Sequence, residues 1–279
     1  HVIEQSQARS LAYLHVSFAG IYAFSKAFMV GESEDIRLLA PAEAARVAVE
    51  NREVIVGSKV RLGRKTSGVP GLGPLDIARQ VAEETGLPLM VHLDEPPPSY
   101  EAVVGQLRPG DVLTHCFRPF PNTPVNAQGA IKPAVIAARE RGVIFDVGHG
   151  FGSSSYKVAR QMLAGGFEPD TISSDIHQLC IDGPAYDQVT TLSKFLHLGM
   201  SLPDVIAAST SNAAHALKRP ELGTFKAGAA GDATLLALKE GAFPLTDSTG
   251  ETEIGSRRLI SQGVVLAGRW WHGDLANAT

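Results

Sequence analysis

The sequence predicts an α/β fold, a (β/α)₈ barrel of the TIM type, followed by a small accessory β domain. Short apolar strands alternate with helical segments over the first 217 residues. Polar side chains follow the carboxyl ends of several of those strands, as in barrels whose sites lie at that end. Beyond residue 217 the pattern changes to strands and turns. We therefore expect a barrel in residues 1–217 and the C-terminal part of an accessory β-sandwich domain in residues 218–279.

One unit recurs along the first part of the chain: a helical pattern, a glycine that ends it, and a short apolar strand. In the clearest example the apolar residues Leu75, Ala78, Val81 and Ala82 recur at helical spacing before Gly86. Six strands follow from this pattern and from β-branched runs, at residues 11–17, 54–60, 87–92, 111–115, 143–147 and 170–175. A closed barrel of this type has eight strands, so we expect the first two to precede His1.

A doubly wound open sheet also fits alternating strands and helices, and the positions of polar residues decide between the two folds. Lys59, His92, His115 and Asp175 each end a different predicted strand, and His149 lies just past another. An open sheet would concentrate its ligand residues near one switch point, whereas a barrel brings all strand ends together. The barrel is therefore preferred.

The last 60 residues predict a small antiparallel module. Strands are expected at residues 232–238, 256–261 and 264–270, with a turn at residues 247–250.

Composition excludes several classes of protein. The chain has 279 residues, 44% of them apolar and 19% charged, and a net charge of −4. The sequence has no stripe of basic residues of the kind that binds nucleic acid, and no apolar run approaches the length of a membrane span. Cys116 and Cys180 cannot form a disulfide framework, which favours a cytoplasmic protein. A small-molecule substrate is expected, and the oligomeric state is left open, a homo-oligomer included.

The strand-end histidines His92 and His115, with Asp175 further along, are of the residue types that bind Zn²⁺ or a similar divalent ion. The alternatives are packed histidines and a helix-capping carboxylate. Lys59 fits a surface ion pair; inside a barrel, desolvation would instead lower the pKa of its amine, which could then react with CO₂ to give a carbamate. No G-x-S-x-G or G-x-G-x-x-G motif occurs, so neither a serine hydrolase nor a dinucleotide site is supported.

The order of these motifs resembles the amidohydrolase superfamily, in particular its dihydroorotase-like members and a branch of metallo-deacetylases and esterases. The resemblance covers essentially the whole chain. It rests on the stretches Lys59-Val60-Arg61, Val91-His92 before Glu95-Pro96-Pro97, Thr114-His115-Cys116-Phe117, Asp146-Val147-Gly148-His149-Gly150 and Ser174-Asp175. The H-x-H pair that this family has at the end of its first strand is absent from the sequence. Residues upstream of His1 would explain the absence; loss of one metal site is the alternative.

The resemblance implies two divalent metal ions, usually zinc. It implies Lys59 as a carboxylated bridging ligand, His92 and His115 as ligands of one ion, and Asp175 as a ligand of the other and the residue that carries the proton.

The implied reaction is hydrolysis of an amide or ester carbonyl by a metal-bound hydroxide, with removal of an acetyl group from an N- or O-acetylated small acid favoured. Hydrolysis of a cyclic amide, as by dihydroorotase, is the alternative, and a non-catalytic scaffold is a third possibility. Arg61, Arg118, His149 and His177 lie where they could bind a substrate carboxylate or oxyanion.

Overall fold

The computed structural model describes residues 2–271, and helices alternate with strands along most of this length. The strands are β1 (Ala12–His15), β2 (Ala23–Phe24), β3 (Met29–Val30), β4 (Ile55–Leu62), β5 (Leu89–Leu93), β6 (Val112–Thr114), β7 (Ile144–Asp146), β8 (Ala233–Thr246), β9 (Thr252–Leu266) and β10 (Arg269–Trp270). The α-helices are α1 (Val2–Gln5), α2 (Pro41–Glu50), α3 (Gly73–Thr85), α4 (Tyr100–Val104), α5 (Pro133–Glu140), α6 (Tyr156–Ala164), α7 (Gln188–His197), α8 (Leu202–Ser209) and α9 (Ser211–Ala216). His1 and residues 272–279, which complete the two predicted domains, lie outside the described residues.

Five strands form one parallel sheet in the order β1-β4-β5-β6-β7. Successive strands are joined through helices, as parallel neighbours require. Helix α3 shows how the sequence produces this unit. Its apolar residues Leu75, Ala78, Val81 and Ala82 are all buried, and Gly86 ends the helix in the left-handed conformation at φ 69°. The predicted α/β class is confirmed.

The register of this sheet places several polar residues on one face. His15 of β1 lies opposite Lys59 of β4, and Arg61 lies opposite His92 of β5. Side chains alternate along a strand, so Lys59 and Arg61 project from one face of β4, while Val60 and Leu62 project from the other into the apolar core. The polar face leads to the site described below.

The sixth predicted strand, at residues 170–175, is an extended segment with only one bridge to β7, between Asp146 and Thr171. Further backbone hydrogen bonds run from the amides of Val147 and His149 to the carbonyls of Thr171 and Ser173, at 3.0 Å each. The segment is therefore parallel to β7. Asp175, the last residue of the segment, adopts a left-handed conformation, φ 48°.

The accessory module is a three-stranded antiparallel sheet in the order β10-β9-β8. Strands β8 and β9 are longer than the three strands predicted in this region. They form one long hairpin that stays paired along its length, with irregularities in the register at residues 235–236 and 240–243. The turn predicted at residues 247–250 joins them. The hairpin packs on α7, where the Leu259 amide donates to the Ser193 hydroxyl at 2.9 Å. The boundary at residue 217 remains a prediction.

No helix within residues 2–271 is both long enough and apolar enough to cross a membrane.

Candidate functional site

A cavity of about 510 Å³ opens at the carboxyl ends of the parallel strands. It contains most of the side chains that the sequence predicts for the site: Lys59, Arg61, His92, His115, Arg118, Asp175 and His177. The β2–β3 hairpin adds apolar side chains, among them Phe24 and Met29, to its wall. The predicted convergence of strand-end residues therefore occurs in one place.

His92 and His115 form the floor of the cavity as a hydrogen-bonded pair. His115 Nδ1 faces the Gly148 carbonyl oxygen at 2.7 Å, so this nitrogen carries the proton and donates it. Its Nε2 then holds a lone pair, which accepts from His92 Nδ1 at 2.7 Å. Burial lowers the pKa of both imidazoles well below the usual value, with nearby cations adding to the effect. Both rings are therefore neutral, which is the form that binds metals.

Lys59 and Asp175 complete the predicted ligand set. Burial lowers the pKa of the Lys59 amine to about 8, against the opposing charge of Asp175. Burial likewise raises the pKa of Asp175, which Lys59 and His177 counteract. The glycine at residue 150 leaves room for Asp175, since a Cβ there would lie 2.5 Å from Asp175 Oδ2.

Asp146, for which the sequence predicted no separate role, holds the Asp175 segment against the sheet. Its carboxylate accepts hydrogen bonds at 2.7 Å from the hydroxyls of Thr114 on β6, Thr171 and Ser173. Asp146 thus joins β6, β7 and the extended segment that ends at Asp175. A carboxylate at the end of a strand was the available signal in the sequence.

A second group of polar residues, not predicted, lies behind Arg61. The Ser17 amide donates to His15 Nδ1 at 2.9 Å, so the proton of this imidazole is on Nε2, 2.7 Å from Glu32 Oε1. Arg61 Nη1 lies 3.1 Å from Glu32 Oε2. Burial would raise the pKa of Glu32, but His15 and Arg61 outweigh it and lower the pKa, so the carboxylate is ionised. The strand-end rule would have found His15; nothing in the sequence marks Glu32.

Arg118 and Asp94 are buried charged residues on the wall of the cavity. Arg118 is 8% exposed, and its Nη1 donates to the Leu93 carbonyl at the end of β5, at 3.0 Å. Asp94 accepts from the Lys65 amide at 3.2 Å, and burial raises its pKa. Asp94 directly follows β5, so its carboxylate lies at the end of a strand.

His149 is placed away from the cavity wall, and its predicted contact with substrate remains a prediction. Its side chain is 1% exposed. Nδ1 donates to the Gly150 carbonyl at 3.0 Å, and Nε2 accepts from Lys194 Nζ at 2.9 Å. Lys194 also donates to the Pro184 carbonyl at 2.6 Å, and burial lowers its pKa to about 7. Lys194 lies in the middle of α7, where the sequence gives no sign that its amine is buried.

His177 does line the cavity, and its ring packs edge-on against Phe24 with 5.1 Å between ring centroids.

The donor set suits a divalent metal ion in its chemistry. Neutral imidazoles, a carboxylate and a lysine amine meet at the cavity, and His92 Nε2 is buried without a hydrogen-bond partner. Within residues 2–271, no three His, Cys, Asp or Glu side chains are already grouped as a metal site. The imidazoles of His92 and His115 bond each other at 2.7 Å, whereas two nitrogens on one tetrahedral ion lie about 3.4 Å apart. Binding would therefore require this pair to separate.

Comparison with known proteins relates the chain to deacetylases. No family model matches the sequence. A curated deacetylase of Agrobacterium fabrum is 32% identical over 251 residues, which cover 90% of this chain and 61% of the relative. A curated deacetylase of Enterococcus faecalis is 31% identical over 255 residues, which cover 90% of this chain and 69% of the relative. The chain thus spans about three-fifths to two-thirds of the length of these relatives.

Two solved structures share the fold over nearly the whole chain. An adenine deaminase superposes with a TM-score of 0.91 at 29% identity, covering 97% of this chain and 73% of the other. A dihydroorotase superposes with a TM-score of 0.87 at 31% identity, covering 96% of this chain and 71% of the other. These neighbours are barrel proteins of the predicted type, so the barrel prediction is confirmed. Given the sequence identity, the coverage and the shared fold, the chain belongs to the amidohydrolase superfamily and is related to its deacetylases and to dihydroorotase.

Proposed function

We propose that the protein containing this chain is a metal-dependent hydrolase of an amide or ester carbonyl, and that it removes an acetyl group from an N- or O-acetylated small acid. The observation that carries this proposal is the meeting of Lys59, His92, His115 and Asp175 in one cavity at the strand ends. The names of the curated relatives support deacetylation. A small-molecule substrate suits a cavity of this size. The cytoplasmic location expected from the cysteines is part of the proposal.

In this proposal His92 and His115 hold one divalent ion, zinc in the simplest case, and Asp175 helps to hold a second. Lys59 would take part in holding the metal as a carbamate, formed when its neutral amine adds to CO₂ and releases a proton. A pKa of about 8 supports this step, because a useful fraction of the amine is then neutral near neutral pH. When bound, the metal polarises the substrate carbonyl and lowers the pKa of water.

Asp175 is the proposed proton carrier. It takes a proton from the attacking water and gives it to the leaving nitrogen or oxygen. Burial raises its pKa, which brings the carboxylate nearer to the range in which it can both accept and release a proton. Asp146 would keep Asp175 in place through the hydroxyls of Thr171 and Ser173.

The test combines metal analysis with a substrate panel. The purified protein is assayed on N-acetyl amino acids, O-acetyl hydroxy acids and dihydroorotate, and its metal is measured by plasma mass spectrometry. We expect deacetylation and about two equivalents of metal; Asp175→Asn should keep the metal and lose most turnover, and His115→Ala should lose both. The exposed His215 on α9 provides the control, since His215→Ala should change neither.

Other outcomes of this test separate the alternatives. Ring opening of dihydroorotate without deacetylation would favour a cyclic amide hydrolase. A well-folded protein that binds no metal and hydrolyses no member of the panel would favour the scaffold.

A further inference from the structure

Two guanidinium groups, those of Arg61 and Arg118, line the same cavity, but their charges are balanced differently. A buried cation is costly unless an anion or a set of hydrogen bonds compensates it. The residues around each arginine therefore indicate which of the two remains available to an incoming anion.

Arg61 is already paired within the protein. Its Nη1 lies 3.1 Å from Glu32 Oε2, and the Glu32 side chain is only 3% exposed. Because the same carboxylate also faces His15, Arg61 is held on the His15 side of the cavity. A substrate carboxylate at Arg61 would have to compete with a buried carboxylate that is already there.

Arg118 has no such partner. No carboxylate within residues 2–271 lies within the 4.0 Å of an ion pair from its guanidinium. The acidic residues that attract its charge from further away are Asp94 and Glu95, and Glu95 is paired with Arg64 at 2.5 Å and Lys65 at 2.7 Å. The Nε of Arg118 is buried and makes no hydrogen bond.

The Arg118 group is also held in a fixed orientation. Its backbone amide donates to the His115 carbonyl at 3.1 Å, just beyond β6. Its Nη1 donates to the Leu93 carbonyl at 3.0 Å. The guanidinium is thus anchored to the ends of two neighbouring strands beside the histidine pair, with other N–H groups left over. A planar fork held in this way suits two-point binding of a carboxylate.

We propose that Arg118 is the residue that binds the carboxylate of an anionic ligand in this cavity, while Arg61 serves to hold Glu32 and His15. Identification of that ligand as the substrate rests on the proposed hydrolase function; the anion site itself does not. The cavity wall also carries Ile21, Phe24, Met29, Phe151 and Leu179. The fitting ligand is therefore a monocarboxylate with an apolar side chain.

The test uses hexanoate and hexanamide, which share an apolar tail and differ in charge. Their affinities are compared by isothermal titration calorimetry in the wild type and in Arg118→Gln, Arg118→Lys, Arg61→Gln and Arg64→Gln. Arg64 provides the matched control, because it is exposed, pairs with Glu95 and does not line the cavity. Thermal unfolding shows which variants are folded.

We expect the wild type to bind hexanoate at least about tenfold more tightly than hexanamide. Arg118→Gln should lose this preference, Arg118→Lys should keep part of it, and Arg64→Gln should keep all of it. The inference is overturned if the wild type does not prefer hexanoate to hexanamide, or if folded Arg118→Gln keeps that preference. It is also overturned if the preference is lost in Arg61→Gln and kept in Arg118→Gln. A carboxylate bound only by a metal ion would show a preference independent of Arg118.

The binding test of Arg118 can succeed or fail independently of the test for hydrolysis. If the wild type binds hexanoate through Arg118 but hydrolyses no acetylated acid, the hydrolase proposal fails and the anion site stands. If it deacetylates with Arg118→Gln as fast as the wild type on charged substrates, the hydrolase proposal stands and the Arg118 assignment fails.

Discussion

Replacement of Asp146 by alanine is expected to destabilise the protein strongly and to disturb the segment that carries Asp175. The Asp146 carboxylate is 4% exposed and accepts three hydrogen bonds of 2.7 Å, from Thr114, Thr171 and Ser173. These bonds connect β6 and β7 to a segment that has only one regular bridge to the sheet. The side chain therefore replaces part of a strand ladder.

The magnitude follows from the number of hydrogen bonds. A hydrogen bond to a charged group contributes about 1.5–3 kcal/mol, so three independent ones would sum to about 4.5–9 kcal/mol. Their contributions are not additive, because the three hydroxyls can rotate and bind water that enters the vacated space. We expect Asp146→Ala to lower the free energy of unfolding by about 3–5 kcal/mol, and Asp146→Asn by less, since its amide keeps one acceptor.

Urea unfolding followed by circular dichroism measures this loss. Asp76→Ala is the control, because Asp76 is exposed in the first turn of α3 and contributes about 0.3–1 kcal/mol through the helix dipole. A loss for Asp146→Ala below about 1 kcal/mol, similar to that of the control, would refute the bracing role. Wild-type turnover in folded Asp146→Ala would show that Asp175 does not depend on it.

Three further predictions follow. Gly150→Ala should lower kcat/KM by about tenfold or more, since its Cβ would lie 2.5 Å from Asp175 Oδ2. The control Gly166→Ala, also at positive φ but with no atom within 4 Å of the added Cβ, should lose only about 1 kcal/mol of stability. Equal losses of activity in the two variants would contradict this prediction. Burial lowers the pKa of Lys194 from 10.5 to about 7, so the unfolded chain holds its proton to higher pH than the native protein does. The free-energy cost of burying the charged amine is at its full value below pH 7 and decreases as the pH rises. In urea titrations, the stability of the wild type relative to Lys194→Met should therefore rise by about 1.4 kcal/mol per pH unit between about pH 7.5 and 9.5. A stability difference that does not change with pH would contradict this prediction. With a pKa of about 8 for Lys59, bicarbonate should increase zinc uptake by the metal-stripped protein, more at pH 8 than at pH 6.5, and Lys59→Ala should show no such response in equilibrium dialysis.

The relation between sequence and structure differs between the fold and the details of the site. The repeating unit at α3 was predictable because helical spacing, a glycine stop and a short apolar run act over about a dozen neighbouring residues. The positions of His92 and His115 at strand ends followed from the same local pattern, whereas Lys59, predicted to end its strand, lies inside β4, which continues to Leu62. The long β8–β9 hairpin was predicted as shorter strands, because bulges interrupt the alternation from which strands are read.

Contacts between distant segments could not be predicted in this way. His149 looked like its neighbours at the strand ends, yet its ring meets Lys194, which is 45 residues away on α7, and both are buried. Glu32 has no motif around it, and its role becomes visible only when Arg61, 29 residues on, is brought beside it.

The sequence by itself determined the α/β class, the strand ends at which polar residues meet, and the resemblance to the amidohydrolases. Only the tertiary structure decided how those residues are partnered. It shows that Glu32 neutralises Arg61, that no carboxylate of the described residues lies within ion-pair distance of Arg118, and that Asp146 braces the Asp175 segment. The physical reason is that periodicity and turns depend on neighbours in the chain, whereas the free energy of a buried charge depends on what the folded chain places around it.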